Sequence, residues 1–102
     1  MTSHELISRI EAGTPPVILD VRSEWEFERG HVPGATHVPF WNVASHIDKI
    51  AAAKTDQVVV YCGHGPRAQW AGAALRKGGF ENVVLLDGHW SGWVREAGPI
   101  QR

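Results

Sequence analysis

Three runs of mainly β-branched residues are the strongest constraint on what this chain can fold into. They occupy residues 17–21, 58–61 and 83–86, and none shows the polar alternation of a strand with one face in water. Such runs are typical of strands buried on both faces, because helices cover both sides of a parallel sheet. Helical patterns separate the runs at residues 41–53 and 67–77. This rhythm predicts an α/β fold, with a parallel sheet and crossover helices.

Helices are also predicted near the two ends of the sequence. Residues 3–12 place Leu6 and Ile10 on one apolar stripe, and Thr2 and Glu5 have the spacing of a capping box. A last helix is predicted over residues 89–97. The helix at 67–77 turns small residues and one leucine toward the sheet: Ala68, Ala71, Gly72 and Leu75.

Composition narrows the classes of function. A chain of 102 residues has room for one core, so we expect a single domain over residues 1–102. The net charge is −1 without a block of like charge, which argues against nucleic-acid and membrane partners. A single cysteine cannot form an intramolecular disulfide, and neither a secretory signal nor a membrane-spanning apolar run is visible. We therefore expect a cytoplasmic protein.

The single cysteine, Cys62, follows the buried run at 58–61. Ligands of open α/β sheets bind beyond the carboxyl ends of the strands. Gly63 and Gly65 allow the backbone N–H groups to turn inward and form a concave anion site. The start of the next helix and the Arg67 guanidinium add positive charge. Together these features favour a reactive thiolate at Cys62.

A lone cysteine at the end of an apolar strand is more often an inert, buried side chain. For Cys62, the neighbouring sequence Cys-Gly-His-Gly-Pro-Arg argues against that alternative. Two glycines, a proline and an arginine make a poor core segment and a good anion-binding loop.

The chain resembles the rhodanese-like family, whose active-site loop has the pattern of Cys62, Gly65 and Arg67. Other matching segments are Leu-Asp-Val-Arg at 19–22, Gly-His-Val-Pro-Gly-Ala at 30–35, Gly-Gly-Phe-Glu-Asn-Val at 78–83 and Leu-Asp-Gly at 86–88. The resemblance spans about residues 3–97. It implies a three-layer α/β fold with a central parallel five-stranded sheet flanked by helices.

The resemblance also implies sulfurtransferase activity. The Cys62 thiolate would take the outer sulfur of thiosulfate or a similar small anionic donor and hold it as a persulfide. Arg67 and the amides of residues 63–67, including Gly63, His64 and Gly65, would bind the donor and stabilise the departing sulfite. With no second cysteine, the acceptor must be external: cyanide, glutathione or a dithiol protein. No cofactor is expected, and the histidines lack metal-ligand spacing.

Several neighbours have supporting or open roles. Asp20 and Arg22 follow the first strand, where we expect a structural ion pair near the loop. His64 lies inside the loop and could tune the thiolate. Ala68 stands where the family often has serine, and His89 where it often has a second glycine. These departures bear on the turnover rate but leave the nucleophile and the cation in place.

Two alternatives remain open from the sequence. Cysteine phosphatases and arsenate reductases use a similar loop but place five residues between cysteine and arginine, whereas here there are four. The shorter loop favours attack on sulfur over attack on a phosphate ester. The second alternative is a non-catalytic interaction or sulfur-carrier module of the same fold, against which the retained Cys62 argues.

Overall fold

A parallel sheet runs through the centre of the chain, as the apolar runs predict. The computed structural model describes all residues, 1–102. Its strands and helices are, in chain order, α1 (Ser3–Glu11), β1 (Val17–Asp20), α2 (Glu24–Arg29), β2 (Thr36–His37), β3 (Gln57–Tyr61), α3 (Pro66–Lys77), β4 (Asn82–Leu85) and α4 (His89–Arg95). The longest helix, α3, has 12 residues, and none of the helices has the length and apolar character needed to cross a bilayer.

The sheet has four strands in the order β2-β1-β3-β4, all parallel. The family resemblance implies five strands, and this number is wrong, because the sheet has four. At the outer edge of β4, only Met1 pairs with the sheet: its amino group donates to the Leu85 carbonyl, and its carbonyl accepts from Asp87 N–H. These two bonds are too few to make a strand.

The side-chain alternation of β3 divides the core into two layers. Val58, Val60 and Cys62 face the inner side of α3. Val59 and Tyr61 point to the opposite face, toward side chains of α1 and α4. Because a strand sends successive side chains to opposite faces, the position of Cys62 on the α3 side follows from the alternation of side chains along β3. Helices thus cover both faces of the sheet, in the three layers that the resemblance implies.

The predicted helix at residues 41–53 is wrong. The segment forms two 3₁₀ helices, Phe40–Asn42 and Ala44–Lys49. The reason is local competition for the Asn42 carbonyl, which accepts from Ser45 Oγ at 3.1 Å and contacts His46 Nδ1 at 2.9 Å. An α-helix would direct the His46 N–H to that carbonyl, but here the N–H bonds to Val43 instead.

The three other predicted helices are present. α1 begins with the predicted capping box of Thr2 and Glu5. α3 buries the four predicted inner residues, and α4 ends two residues earlier than predicted. The short helix α2 was not predicted, although Ser23 and Glu26 at its start form a second capping box.

A buried polar cluster joins the ends of β1 and β3. The Asp20 carboxylate accepts three hydrogen bonds from the Arg22 guanidinium and one from the Tyr61 hydroxyl at 2.7 Å. The Tyr61 hydroxyl in turn accepts from Val32 N–H at 3.0 Å, and Arg22 donates to the Gly30 carbonyl. The ion pair expected of Asp20 and Arg22 is thus present, and the burial of its charges is compensated by hydrogen bonds.

We predict that Tyr61→Phe lowers the free energy of unfolding by about 1–3 kcal/mol. The substitution keeps the ring but leaves the buried Val32 N–H without an acceptor and removes one donor from Asp20. Urea unfolding followed by tryptophan fluorescence measures the change. An unchanged unfolding midpoint would show that the cluster does not stabilise the fold.

Candidate active site

Cys62 lies between β3 and the loop that leads into α3. Its Sγ accepts a hydrogen bond from Gly65 N–H at 2.9 Å, which closes a tight turn over the sulfur. Gly65 has φ 137° and ψ −48°, a backbone conformation that favours glycine and makes this turn possible. The bond would supply one donor to a thiolate at Cys62.

Cys62 is also fully buried, with 0% of its surface exposed. Full burial is what the alternative of an inert cysteine expects. The two observations are compatible if the loop shifts when a reactant approaches. A reactant can reach Sγ only after such a shift, because no surface of Cys62 is exposed.

The loop provides further amide groups for an anion. The N–H groups of Gly63, His64, Arg67 and Ala68 donate to no group of the chain. The expectation that all amides of residues 63–67 contribute needs one correction, since Pro66 has no N–H. The Ala68 side chain is buried in the core, so this residue can offer the site only its amide.

Arg67 is not the free cation that the sequence suggests. Its guanidinium donates to both carboxylate oxygens of Glu26, at 2.8 and 3.2 Å. A Cβ placed on Gly63 would lie 3.1 Å from Arg67 Nη2, so the pair rests against the loop. The hydrogen bonds from Arg67 lower the pKa of Glu26 to about 2, and those to Glu26 raise the pKa of Arg67. The two charges therefore compensate each other across the physiological pH range.

His89 approaches the loop from the start of α4. Its Nδ1 accepts from Cys62 N–H at 3.3 Å, and its Nε2 lies on the side of Gly65. The residue adopts φ 51°, a left-handed conformation that costs a non-glycine residue free energy. Burial lowers the pKa of His89, so the neutral ring is favoured.

The remaining predicted neighbours lie at different distances from the sulfur. Asp20 and Arg22 sit at the end of the adjacent strand, in the buried cluster described above. His64 is exposed, and its Nδ1 lies 3.4 Å from Ser91 Oγ on α4. No three His, Cys, Asp or Glu side chains are grouped in a way that could hold a metal ion.

The model of the rhodanese-like domain matches residues 2–96. The chain belongs to the rhodanese-like domain family.

The relatives that match include an enzyme of similar length and a longer protein. The chain is 41% identical to thiosulfate sulfurtransferase GlpE of Pseudomonas fluorescens (strain SBW25), over 76% of this chain and 69% of GlpE. It is 33% identical to YrkF of Bacillus subtilis (strain 168), whose name proposes a role as a sulfur carrier protein, over 66% of this chain but 35% of YrkF.

Among solved structures, the Alr3790 protein from Anabaena sp. superposes with a TM-score of 0.90 at 31% identity. The match covers 99% of this chain and 90% of that one. The α/β fold of the rhodanese-like domain is therefore confirmed, with four strands in this chain.

Sequence reasoning missed Glu26 and gave His89 too little weight. A signal for Glu26 was present, since Ser23 and Glu26 have capping-box spacing directly after β1. Nothing local links Glu26 to Arg67, 41 residues away. His89 follows the left-handed Gly88, and its contact with Cys62 arises only when α4 packs beside the loop.

We predict that His89→Asn makes the stability of the domain less dependent on pH. Because burial lowers the pKa of His89, its stabilising neutral form is fully present above the unfolded-state value of about 6.5. This stabilisation is lost as the pH falls through the folded-state value. Asparagine tolerates the left-handed conformation and can accept from Cys62 N–H.

Urea unfolding between about pH 8 and 5 measures the effect. The wild-type free energy of unfolding should fall more steeply toward low pH than that of the variant. His4→Asn serves as control for the loss of an exposed histidine, because His4 lies on α1 and contacts Glu96 instead of the loop. Equal slopes for wild type and His89→Asn would contradict the prediction.

Proposed function

We propose that this rhodanese-like domain, over residues 1–102, is a sulfurtransferase that carries sulfane sulfur as a persulfide on Cys62. The donor is thiosulfate or a similar sulfane compound, and the acceptor is a thiophile. The observation that carries the proposal is the hydrogen bond from Gly65 N–H to Cys62 Sγ, in a loop whose other amides are free. The similarity to the GlpE enzyme supports the same reaction class.

The first half-reaction loads Cys62. The thiolate attacks the outer sulfur of the donor, and a new S–S bond forms as the donor's S–S bond breaks. With thiosulfate, sulfite leaves with the electron pair. Once the loop has shifted to admit the donor, the free amides of Gly63, His64, Arg67 and Ala68 can donate to the anionic atoms of donor and persulfide.

The second half-reaction discharges the persulfide. A nucleophile attacks the outer sulfur, and Cys62 leaves as the thiolate. The acceptor is external because Cys62 is the only cysteine. We propose cyanide or glutathione as small acceptors and a reduced dithiol protein as a larger one, in a reducing compartment such as the cytoplasm.

A sulfur-carrier module is the second candidate. The similarity to YrkF supports it, as does the complete burial of Cys62, which would protect a stored persulfide from small nucleophiles. A carrier would load one sulfur and release it only to its partner. An enzyme would turn over many times with small acceptors.

Phosphatase chemistry fits the site less well. The loop has four residues between Cys62 and Arg67, and the Arg67 guanidinium is occupied by Glu26. A phosphate ester would have to displace that carboxylate to gain the arginine.

We predict that treatment with thiosulfate, and separately with an organic persulfide, adds one sulfur atom to the intact protein. Cyanide should remove the added sulfur as thiocyanate. Intact-mass spectrometry measures both steps, and repeated cycles with excess cyanide separate an enzyme from a carrier. Cys62→Ser should take up no sulfur, because a hydroxyl cannot form the persulfide.

The control for loading is the folded state of Cys62→Ser, checked by circular dichroism and urea unfolding. The isosteric change at a buried position should keep the fold. If neither donor loads the wild type, the proposal is wrong, and hydrolysis of a phosphate ester would then favour the phosphatase alternative.

A further inference from the structure

The Glu26–Arg67 pair is the feature of the site that the proposed reaction does not use. Both guanidinium nitrogens that face Glu26 are engaged, and the side chains are only 31% and 22% exposed for Arg67 and Glu26. The pair joins α2 to the first turn of α3, beside Gly63. The ion pair therefore lies beside the loop that covers Cys62.

Glu26 is also held in place by the N-terminus of its own helix, α2. Its Oε1 accepts from Ser23 Oγ at 2.7 Å and from Ser23 N–H at 3.1 Å, as part of the capping box of α2. A carboxylate with this many partners is preorganised, so moving it away from Arg67 costs both the ion pair and the cap.

The charges near the sulfur therefore cancel. Arg22 is paired with Asp20, and Arg67 with Glu26. His89 is kept neutral by burial, and His64 is exposed. Beside the loop, the Cys62 thiolate is then opposed by amide dipoles and by no unpaired side-chain cation. The unpaired Arg29 guanidinium lies over the Trp25 ring, in the cleft next to Glu26.

We infer that Glu26 is a specificity-determining residue, which compensates Arg67 and thereby favours organic persulfides over the dianion thiosulfate as sulfur donors. The inference rests on the proposed function and names the donor class of the same site. A dianion that approaches a thiolate with no unpaired cation beside it is repelled, whereas a persulfide carries at most one charge at its reacting end.

A cleft beside Glu26 supports an organic donor. It has a volume of about 250 Å³ and is lined by Arg22, Trp25, Glu26, Arg29, Gly30 and Trp90. Trp25 is 62% exposed, and the Arg29 guanidinium lies over its ring. An organic group can lie against these side chains, and thiosulfate has no such group.

The transfer from a persulfide balances without an oxidant. The Cys62 thiolate attacks the outer sulfur of the donor R–S–S⁻, and the new S–S bond forms as the donor's S–S bond breaks. The inner sulfur leaves with the electron pair as the thiolate R–S⁻. Cys62 then carries the persulfide, as it would after reaction with thiosulfate.

The test is the variant Glu26→Gln, whose kcat/KM is measured with thiosulfate and with 2-hydroxyethyl persulfide generated in situ. Glutamine keeps the capping box, since this position accepts Glu or Gln, and removes the charge that compensates Arg67. We expect kcat/KM for thiosulfate to rise about tenfold, with a smaller change for the organic persulfide, whose reacting end carries at most one charge and whose hydroxyethyl group carries none. A general loss of structure would lower both values instead.

Two further variants isolate the cause. Glu28→Gln makes the same charge change on an exposed residue of α2 that forms no ion pair, and it should leave the donor ratio unchanged. In the Arg67→Gln background, Glu26→Gln should give no gain with thiosulfate, because no cation is released.

The outcomes separate the two proposals. If both donors load Cys62 but Glu26→Gln fails to raise the thiosulfate-to-persulfide ratio, the inference is wrong and the proposed function stands. An equal gain in Glu28→Gln would also overturn the inference, because net charge alone would explain it. If neither donor loads the wild type, the proposed function is wrong, and the inference with it.

Discussion

The buried Asp20 carboxylate is the interaction on which the geometry of the site depends. It accepts from Arg22 and Tyr61, and so ties the end of β1 to the end of β3. A buried charge without such partners would be strongly destabilising. Tyr61 immediately precedes Cys62, and its hydroxyl also holds Val32 N–H. The backbone that delivers the cysteine is therefore fixed from the side of the sheet opposite to its sulfur, which leaves only the glycine loop free to adapt around Sγ.

Different elements of the fold determine the position of Cys62 and the charge beside its loop. The sheet and its buried cluster position Cys62, whereas α2 and α3 bring Glu26 to Arg67 from outside the core. Separate elements allow the charge beside the loop to change without disturbing the strand that carries the sulfur. The same separation explains why a surface-facing helix of six residues, with no buried side chain, bears directly on donor choice.

Much of the fold could be predicted because its signals are local. Buried apolar runs predict parallel strands, and the capping-box spacing of Thr2 and Glu5 predicts the start of α1. The 3₁₀ segment was missed because Ser45 and His46 bond to the Asn42 carbonyl, a competition that periodicity does not reveal. In the site, the strand–loop–helix pattern around Cys62 could be predicted from the sequence, but the compensation of the Arg67 charge by a carboxylate could not. Its partner Glu26 is brought to it only by the tertiary fold.

Compensation of Arg67 changes how a thiolate or persulfide anion must be stabilised here. A free guanidinium would act at long range and on any anion, whereas amide dipoles act only at hydrogen-bond distance. Gly65 N–H already contacts Sγ, and the free amides of Arg67 and Ala68 lie at the N-terminus of α3, where the helix dipole adds to them. A persulfide extends the anion by one sulfur atom. Stabilisation of an anion in this site therefore depends on where its charged atoms lie relative to those amides.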